Sequence, residues 1–236
     1  SAPPGTKLYK NKIEGLRGKA TGLVFPNFEH GRHVISRKKL KDLIEKGEIS
    51  FKIFSAGMDT SYSAKSMDTI AMCFQGITED RKLIYLAEKV YNNAALGVPL
   101  APSDTTVKFI EFLDSCRKNW GFAKNVFIDC ADQATITELR KWKRLHGSVY
   151  NFIDSYKKVE IIDRINLQLG WLQQDCYLVV EDCQEHIKEL EVYSWDEEKN
   201  IPEDGHDHTI NADQYGWIPY RNMIGFDEEQ IGEVDG

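Results

Sequence analysis

Two aspartates stand at the ends of apolar segments, a position from which a carboxylate can bind a metal ion. Asp59 ends the segment IFSAGMD, and Asp129 ends the segment NVFID. If both segments are neighbouring parallel strands, the two carboxylates meet at the sheet edge where ligands of open α/β sheets bind. Such close carboxylates repel each other unless a divalent cation lies between them, and their oxygens suit Mg²⁺ or Mn²⁺. The alternative for Asp59 is a turn residue that ends its strand.

The segment EDGHDHTINADQYG (203–216) carries further groups that could bind the same cations. If this segment is helical, His208 and Asn211 lie on one face, and Asp207 is four residues before Asn211. Asp213 points to nearly the opposite side. The alternative is a helix start that an aspartate caps, with its histidines exposed to solvent. By the same reasoning, Asp132 is predicted to cap the helix that follows Asp129 rather than to bind metal.

The sequence lacks the patterns of several other enzyme classes. It has no G-x-x-x-x-G-K-[ST] P-loop, no G-x-S-x-G nucleophile elbow and no H-E-x-x-H zinc motif. Its five cysteines form no C-x-x-C pair, which indicates free thiols in a reducing compartment. No apolar run approaches the roughly 20 residues that cross a bilayer, so no membrane association is predicted.

Basic residues are concentrated in a few places, although the whole chain has a net charge of −7. Lys141 and Arg144 belong to the run RKWKR, and Lys157 and Lys158 precede a predicted helix. Positive charge before a helix opposes the helix dipole, so a phosphate partner would explain the second pair. The alternative for both runs is a solvated helix surface. The negative total argues against a uniformly basic nucleic-acid-binding domain.

The apolar periodicity predicts an α/β domain. Three strands with short turns, near Ile53–Met58, Thr69–Phe74 and Lys82–Tyr91, indicate an antiparallel meander. A helix with Asp104 as its N-cap follows, and strands then alternate with helices. Two αβ units place two more strands beside the first strand. The result is a central mixed five-stranded sheet flanked by helices, which is the ribonuclease H-like fold, with additional strands and a helix in the C-terminal part.

Four segments in this order resemble the C-terminal nuclease domain of the large terminase subunit of tailed bacteriophages. They are KATGLVFPNFEHGRHVI, FSAGMDTSYSAKSMDTIAM, NVFIDCADQATITELRK, and INLQLGWLQQD followed by HIKELEVYSWDEEKNIPEDGHDHTINADQYG. The first is similar to the segment that joins the ATPase to the nuclease in that family, and the next two are similar to its two aspartate strands. On this resemblance, residues 1–50 are the linker from a preceding ATPase region, 51–220 the nuclease domain and 221–236 an acidic tail.

The resemblance also implies a set of metal ligands for a two-metal site with Mg²⁺ or Mn²⁺. Asp59 and Asp129 match the first two metal-binding aspartates of the family, and His208 matches a histidine of some members. The third aspartate of the family pattern falls on Asn211, whose amide offers one uncharged oxygen. Asp207 or Asp213 could compensate for the lost charge, and Asp68 could be a further acidic neighbour.

The implied activity is endonucleolytic cutting of concatemeric double-stranded DNA, with little sequence specificity, in the host cytoplasm. The implied partners are a portal protein and a small terminase subunit, and Lys157, Lys158, Lys141 and Arg144 would contact the DNA backbone. Two alternatives stay open. One is a non-catalytic docking module of the packaging machinery, and the other is a resolvase or integrase-like nuclease of the same fold.

Overall fold

The apolar segments predicted as strands form one central sheet in the computed structural model, which describes residues 22–60, 69–92, 95–96, 98, 100–155, 159–196, 199, 201–203, 205 and 207–226. The strands are β1 (Val34–Ile35), β2 (Phe51–Thr60), β3 (Thr69–Thr78), β4 (Leu83–Asn92), β5 (Asn125–Ile128), β6 (Asn151–Asp154) and β7 (Tyr177–Val180). Their order in the sheet is β1-β7-β4-β3-β2-β5-β6. A separate pair, β8 (Trp195–Asp196) and β9 (Ile201–Pro202), is antiparallel.

The strand order β4-β3-β2-β5-β6 confirms the predicted ribonuclease H-like arrangement. β3 is antiparallel to both β2 and β4, and β5 and β6 then extend the sheet in parallel with β2. The described sheet nevertheless has seven strands rather than five, because β7 pairs with β4 in parallel and β1 pairs with β7. The segment of β7 was predicted to be a strand, but its position next to β4 was not.

Helices connect the strands and cover the sheet. They are α1 (His30–His33), α2 (Arg37–Glu45), α3 (Pro102–Asn119), α4 (Gln133–His146), α5 (Ile161–Gln173), α6 (Gln184–Val192) and α7 (His208–Trp217), which continues as a 3₁₀ turn (Ile218–Met223). No described helix is both long enough and apolar enough to traverse a lipid bilayer.

The helix starts show one correct and one wrong cap prediction. Asp132 caps α4, since its carboxylate accepts a hydrogen bond of 3.0 Å from the backbone N–H of Thr135. Asp104 is not the N-cap of α3, because the fixed backbone of Pro102 starts the helix three residues earlier than an Asp104 cap would. The Asp104 carboxylate instead accepts a hydrogen bond of 3.2 Å from the N–H of Ala101, the actual N-cap residue.

The hydrophobic core continues into the region N-terminal to β2. Val24, Phe25 and Leu40 are almost fully buried and belong to the same apolar cluster as the strands. Within residues 22–50 the chain therefore packs as part of the domain, whatever it connects to. The assignment of 1–50 to a linker and of 221–236 to a tail stays a prediction.

Helix α7 is the helix that matters for the predicted site. It packs against β2 and β3, and nine of its ten residues are buried, the exception being Asn211. A helix that is buried on nearly all sides must approach the sheet closely. Gly57 permits this approach, because a Cβ atom at Gly57 would lie only 1.8 Å from the carbonyl oxygen of Ala212.

Candidate functional site

The two aspartates at the ends of β2 and β5 lie side by side. Met58 of β2 is the register partner of Ile128 of β5, and the N–H of Asp129 donates a hydrogen bond of 3.0 Å to the carbonyl of Met58. Asp59 and Asp129 each follow one of these partners, so they occupy matching positions on neighbouring parallel strands. Both carboxyl groups are buried, with Asp59 3% and Asp129 7% exposed.

The start of α7 brings a third group of side chains to the same place. His208 Nδ1 lies 3.3 Å from Asp59 Oδ2, with both side chains buried. Asn211 donates a hydrogen bond of 2.9 Å through its Nδ2 atom to the carboxylate of Asp207, and Tyr193 donates one of 3.4 Å to the same oxygen. The structure therefore gathers the predicted residues Asp59, Asp129, Asp207, His208 and Asn211 around the first turn of α7.

This group carries more negative than positive charge. Burial, together with the carboxylates of Asp129 and Asp207, raises the pKa of Asp59 to about 6 despite its hydrogen bond with His208. Burial alone would lower the pKa of His208, but the hydrogen bond with Asp59 and the nearby carboxylates raise it overall. The raised pKa values of Asp59 and His208 have the same cause. The buried carboxylates lack sufficient positive charge, and a proton or a cation at this position is stabilised.

The donor set fits a hard divalent cation held mainly by Asp59 and Asp129. The described residues contain no cluster of three or more histidine, cysteine, aspartate or glutamate side chains arranged to hold one metal ion. Mg²⁺ is nevertheless commonly bound by one or two carboxylates, with water and substrate phosphates completing its shell. In Asn211, only the side-chain oxygen remains available to a metal, because its nitrogen binds Asp207.

Asp213 lies elsewhere and does not compensate for Asn211. Its carboxylate is fully buried and accepts hydrogen bonds of 2.7 Å from the hydroxyl of Tyr177 and 3.1 Å from the indole of Trp217. Burial raises the pKa of Asp213 to about 8. The Tyr177 hydroxyl also contacts Nε2 of His186 at 2.7 Å, and burial lowers the pKa of that imidazole to about 3. Asp213 therefore belongs to an internal polar network.

The predicted DNA-contacting residues fall into two groups. Lys141 and Arg144 lie on α4, where Lys141 forms an exposed ion pair of 3.5 Å with Glu138. Arg144 lines a surface depression of about 470 Å³ together with Thr137, Arg140 and Lys143. Lys157 and Lys158, like Asp68, lie outside the described residues.

Three residues near the site were given no role in it from the sequence, although Tyr215 was expected on the same helix face as His208 and Asn211. The carboxylates of Asp59 and Asp129, after burial, raise the pKa of the Tyr215 phenol, which hydrogen-bonds to Asp59. Tyr193 contacts Asp207, as described above. Arg164 of α5 is partly buried and donates a hydrogen bond of 2.8 Å from its Nη1 atom to Oε1 of Gln214 on α7. The available signal was position, since Arg164 lies three residues after Ile161 and next to Ile165, close to the apolar stripe of α5.

A carboxylate of α6 supports the start of α7. Glu189 accepts hydrogen bonds from the backbone N–H groups of Thr209 at 2.8 Å and of Ile210 at 3.2 Å. A carboxylate at these unpaired N–H groups acts as a cap supplied by another helix. Glu189 therefore fixes the turn that presents His208 to Asp59.

Comparisons with known proteins identify relatives by structure only. Neither protein-family models nor curated proteins match the chain. Among solved structures, the large terminase of a thermophilic bacteriophage superposes with a TM-score of 0.66 at 17% sequence identity, over 90% of this chain and 52% of that one. The chain thus spans about half the length of that terminase, 52%.

Two further structures are of isolated nuclease domains. The P22 large terminase nuclease domain gives a TM-score of 0.59 at 10% identity, over 86% of this chain and 94% of that one. The large terminase nuclease of thermophilic phage G20c, solved with bound cobalt, gives 0.52 at 14% identity, over 84% and 98%. The same G20c nuclease was also solved with bound magnesium. The chain therefore has the ribonuclease H-like fold of the phage large terminase nuclease domains.

Proposed function

We propose that this chain is a divalent-metal-dependent endodeoxyribonuclease of a phage DNA-packaging terminase. The observation that carries the proposal is the adjacent placement of Asp59 and Asp129 at matching positions of two parallel strands, with His208 against Asp59. The structural likeness to phage terminase nucleases, one of them solved with bound magnesium, supports the same conclusion.

In this proposal Asp59 and Asp129 hold Mg²⁺ or Mn²⁺. A divalent cation bound there supplies a Lewis acid for the phosphodiester and an activated water molecule. Asp59 is kept in place by its hydrogen bond to His208, and Asp129 by the N–H of Ala131, which donates to its carboxylate at 2.9 Å. Burial of both carboxylates excludes competing water and strengthens their interaction with a cation.

The two-metal form of the site is the more specific version of the proposal. Its second ion would be held by His208, Asp207 and the side-chain oxygen of Asn211. Because Asn211 carries no charge, we propose that the second ion binds more weakly than the first. Calorimetric titration with Mn²⁺ distinguishes the versions, since two binding events of unequal affinity are expected for two ions and one event for a single ion.

The proposed substrate is concatemeric double-stranded DNA in the host cytoplasm, cut with little sequence specificity. Lys141 and Arg144, and also Lys157 and Lys158, would contact the DNA backbone, which positions a duplex without identifying its sequence. The proposed partners in the packaging motor are a portal protein and a small terminase subunit.

The experiment compares plasmid cleavage in Mn²⁺ by the wild type, Asp59→Ala and a control variant. Asp163→Asn is the control, because Asp163 is exposed on α5. We expect Asp59→Ala to lose cleavage by a factor of at least about 100, since it removes a ligand of the ion that activates the water. The control should cut like the wild type. Equal cleavage by Asp59→Ala and the wild type would disprove the assignment of the site.

A non-catalytic docking module is the second candidate. The neutral Asn211 and the absence of a three-ligand metal cluster among the described residues favour it. A docking module should give no Mn²⁺ binding heat and no cleavage, whereas a nuclease should give both. The same calorimetric titration therefore separates the two functions.

A further inference from the structure

We propose that Arg164 is a phosphate-binding residue that contacts the DNA backbone next to the candidate metal ligands Asp59 and Asp129. This inference rests on the proposed nuclease function. The argument starts from hydrogen bonding. The guanidinium group has five N–H donors. Its Nη1 atom binds Gln214, whereas its Nε atom is buried and has no hydrogen-bond partner among the described residues. A buried donor without a partner is costly, so its presence calls for an acceptor that arrives later.

Arg164 is also a partly buried cation that forms no ion pair with another described residue. No described carboxylate lies within 4.0 Å of its nitrogen atoms, although other arginines, such as Arg140 with Asp154, form such pairs. Burial lowers the pKa of Arg164, and the negative groups of its surroundings, including Asp207, act in the opposite direction. Arginine stays protonated in proteins, so the positive charge persists and lacks a close counterion.

The positive charge of Arg164 lies beside α7, the helix whose start carries the candidate ligands Asp207, His208 and Asn211. Its partner Gln214 lies on α7, three residues after Asn211 and next to Tyr215, which hydrogen-bonds to Asp59. Gln214 in turn donates a hydrogen bond of 3.3 Å to Oε1 of Gln168 on α5. The guanidinium is thereby held at the side of the first turns of α7, close to the candidate metal ligands.

A phosphodiester is the anion that matches this arrangement. A phosphate held by a cation at Asp59 and Asp129 keeps uncompensated negative charge, and a planar guanidinium binds phosphate through two parallel hydrogen bonds. Preorganised arginines beside a phosphoryl group stabilise the charge that develops in the transition state. The alternative is that Arg164 only balances the carboxylates inside the protein.

The test uses the whole chain and two readouts, duplex binding in EDTA and cleavage in Mn²⁺. Binding of a labelled DNA duplex is measured by fluorescence anisotropy over a range of salt concentrations, for the wild type, Arg164→Gln and Arg164→Lys. We expect Arg164→Gln to bind about tenfold more weakly, with a salt slope that is smaller by about 0.9, the value for one lost phosphate contact. Cleavage should fall by about 100-fold or more, as for the loss of other preorganised donors.

Arg164→Lys keeps the charge but not the two parallel donors, so it should restore the salt slope without restoring the cleavage rate. Arg164→Lys also provides the test if the Arg164→Gln variant does not fold. The control is Arg81→Gln, which removes the same charge at the β3–β4 turn, where the Arg81 guanidinium donates hydrogen bonds to the carbonyls of Gly225 and Asn222. This control should bind and cut like the wild type.

Two outcomes would overturn the inference. One is an Arg164→Gln variant, or an Arg164→Lys variant where only that one folds, with wild-type binding and cleavage. The other is a variant that changes only the affinity for Mn²⁺, which would show that Arg164 balances charge inside the protein. A wild type that binds DNA in an Arg164-dependent way but neither binds Mn²⁺ nor cuts would disprove the proposed nuclease and leave the phosphate contact standing.

Discussion

Gly57 shows how the absence of one side chain decides whether the candidate site can form. It lies in β2 two residues before Asp59 and therefore on the same face of the strand, beneath α7. The peptide carbonyl of Ala212 occupies the space where a side chain would begin. On α7, which packs against β2, a Cβ atom at Gly216 would lie 2.4 Å from Nε2 of Gln75. The distance between α7 and β2, and hence between His208 and Asp59, depends on these two glycines.

Gly57→Ala is therefore expected to destabilise the protein and to reduce cleavage. The added methyl group collides with backbone rather than with a flexible side chain, and overpacking of this kind costs about 1–3 kcal/mol or more. Urea denaturation measures the loss of stability. The control is Gly170→Ala, since Gly170 lies inside α5 with open space around it, and a gain of about 0.5–1 kcal/mol is expected. Equal effects of both substitutions would contradict the close-contact argument.

Helix α6 is joined to the sheet by a partly buried acidic side chain as well as by apolar contacts. Glu88 of β4 accepts hydrogen bonds from the N–H groups of Glu185 at 2.9 Å and His186 at 3.1 Å, the first turn of α6. The His186 ring stacks on Tyr85 with ring centres 3.9 Å apart. Burial, together with the nearby Glu189 and Glu185, raises the pKa of Glu88 to about 7. The attachment of α6 is therefore sensitive to pH.

The sign of this dependence follows from the raised pKa. Glu88 has a folded-state pKa of about 7 and a reference pKa of 4.5, so its contribution to stability is complete below pH 4.5 and is lost as the pH rises towards 7. One such group gives a slope of up to about 1.4 kcal/mol per pH unit. Glu88→Gln should flatten the decline in the free energy of unfolding across this interval, as measured by urea denaturation at several pH values.

Glu189 and Asp213, whose pKa values burial raises to about 7 and about 8, leave a residual slope in that variant. Glu45→Gln, a substitution of an exposed residue of α2, should leave the profile unchanged. A Glu88→Gln profile that is parallel to the wild type would show that the pKa of Glu88 is not raised in the folded protein.

Local patterns predicted the elements that carry the site, but not the contacts between distant segments. The strand that contains Asp59, the strand that precedes Asp129 and the helix that starts at His208 follow from apolar periodicity and cap residues. The insertion of β7 between β4 and β1 joins segments far apart in the chain, and no local pattern encodes such a pairing. Arg164 was missed for a similar reason, because its partner Gln214 lies 50 residues away.

The whole molecule carries a negative net charge. The described basic residues of α4 differ in how far they are free to contact DNA. Arg140 pairs with Asp154 at 2.5 Å, and Lys143 donates a hydrogen bond of 2.7 Å to the carbonyl of Tyr150. These two cations stabilise the packing of α4 on β6. Lys141 is held only by a long, exposed contact with Glu138. A net charge of −7 repels DNA at long range, so binding must depend on a small number of local contacts.

The double substitution Lys141→Ala and Arg144→Ala is therefore expected to weaken duplex binding equally for unrelated DNA sequences. If each side chain makes one phosphate contact, the slope of log Kobs against log salt concentration should become smaller by about 1.8, which corresponds to about 0.9 for each contact. The matched control, Lys108→Ala with Lys118→Ala on α3, removes the same charge from another helix. Equal weakening by both double variants would mean that total charge matters rather than the surface of α4. A loss confined to the α4 variant would place the duplex against the C-terminal half of α4, which lies beside the start of β6.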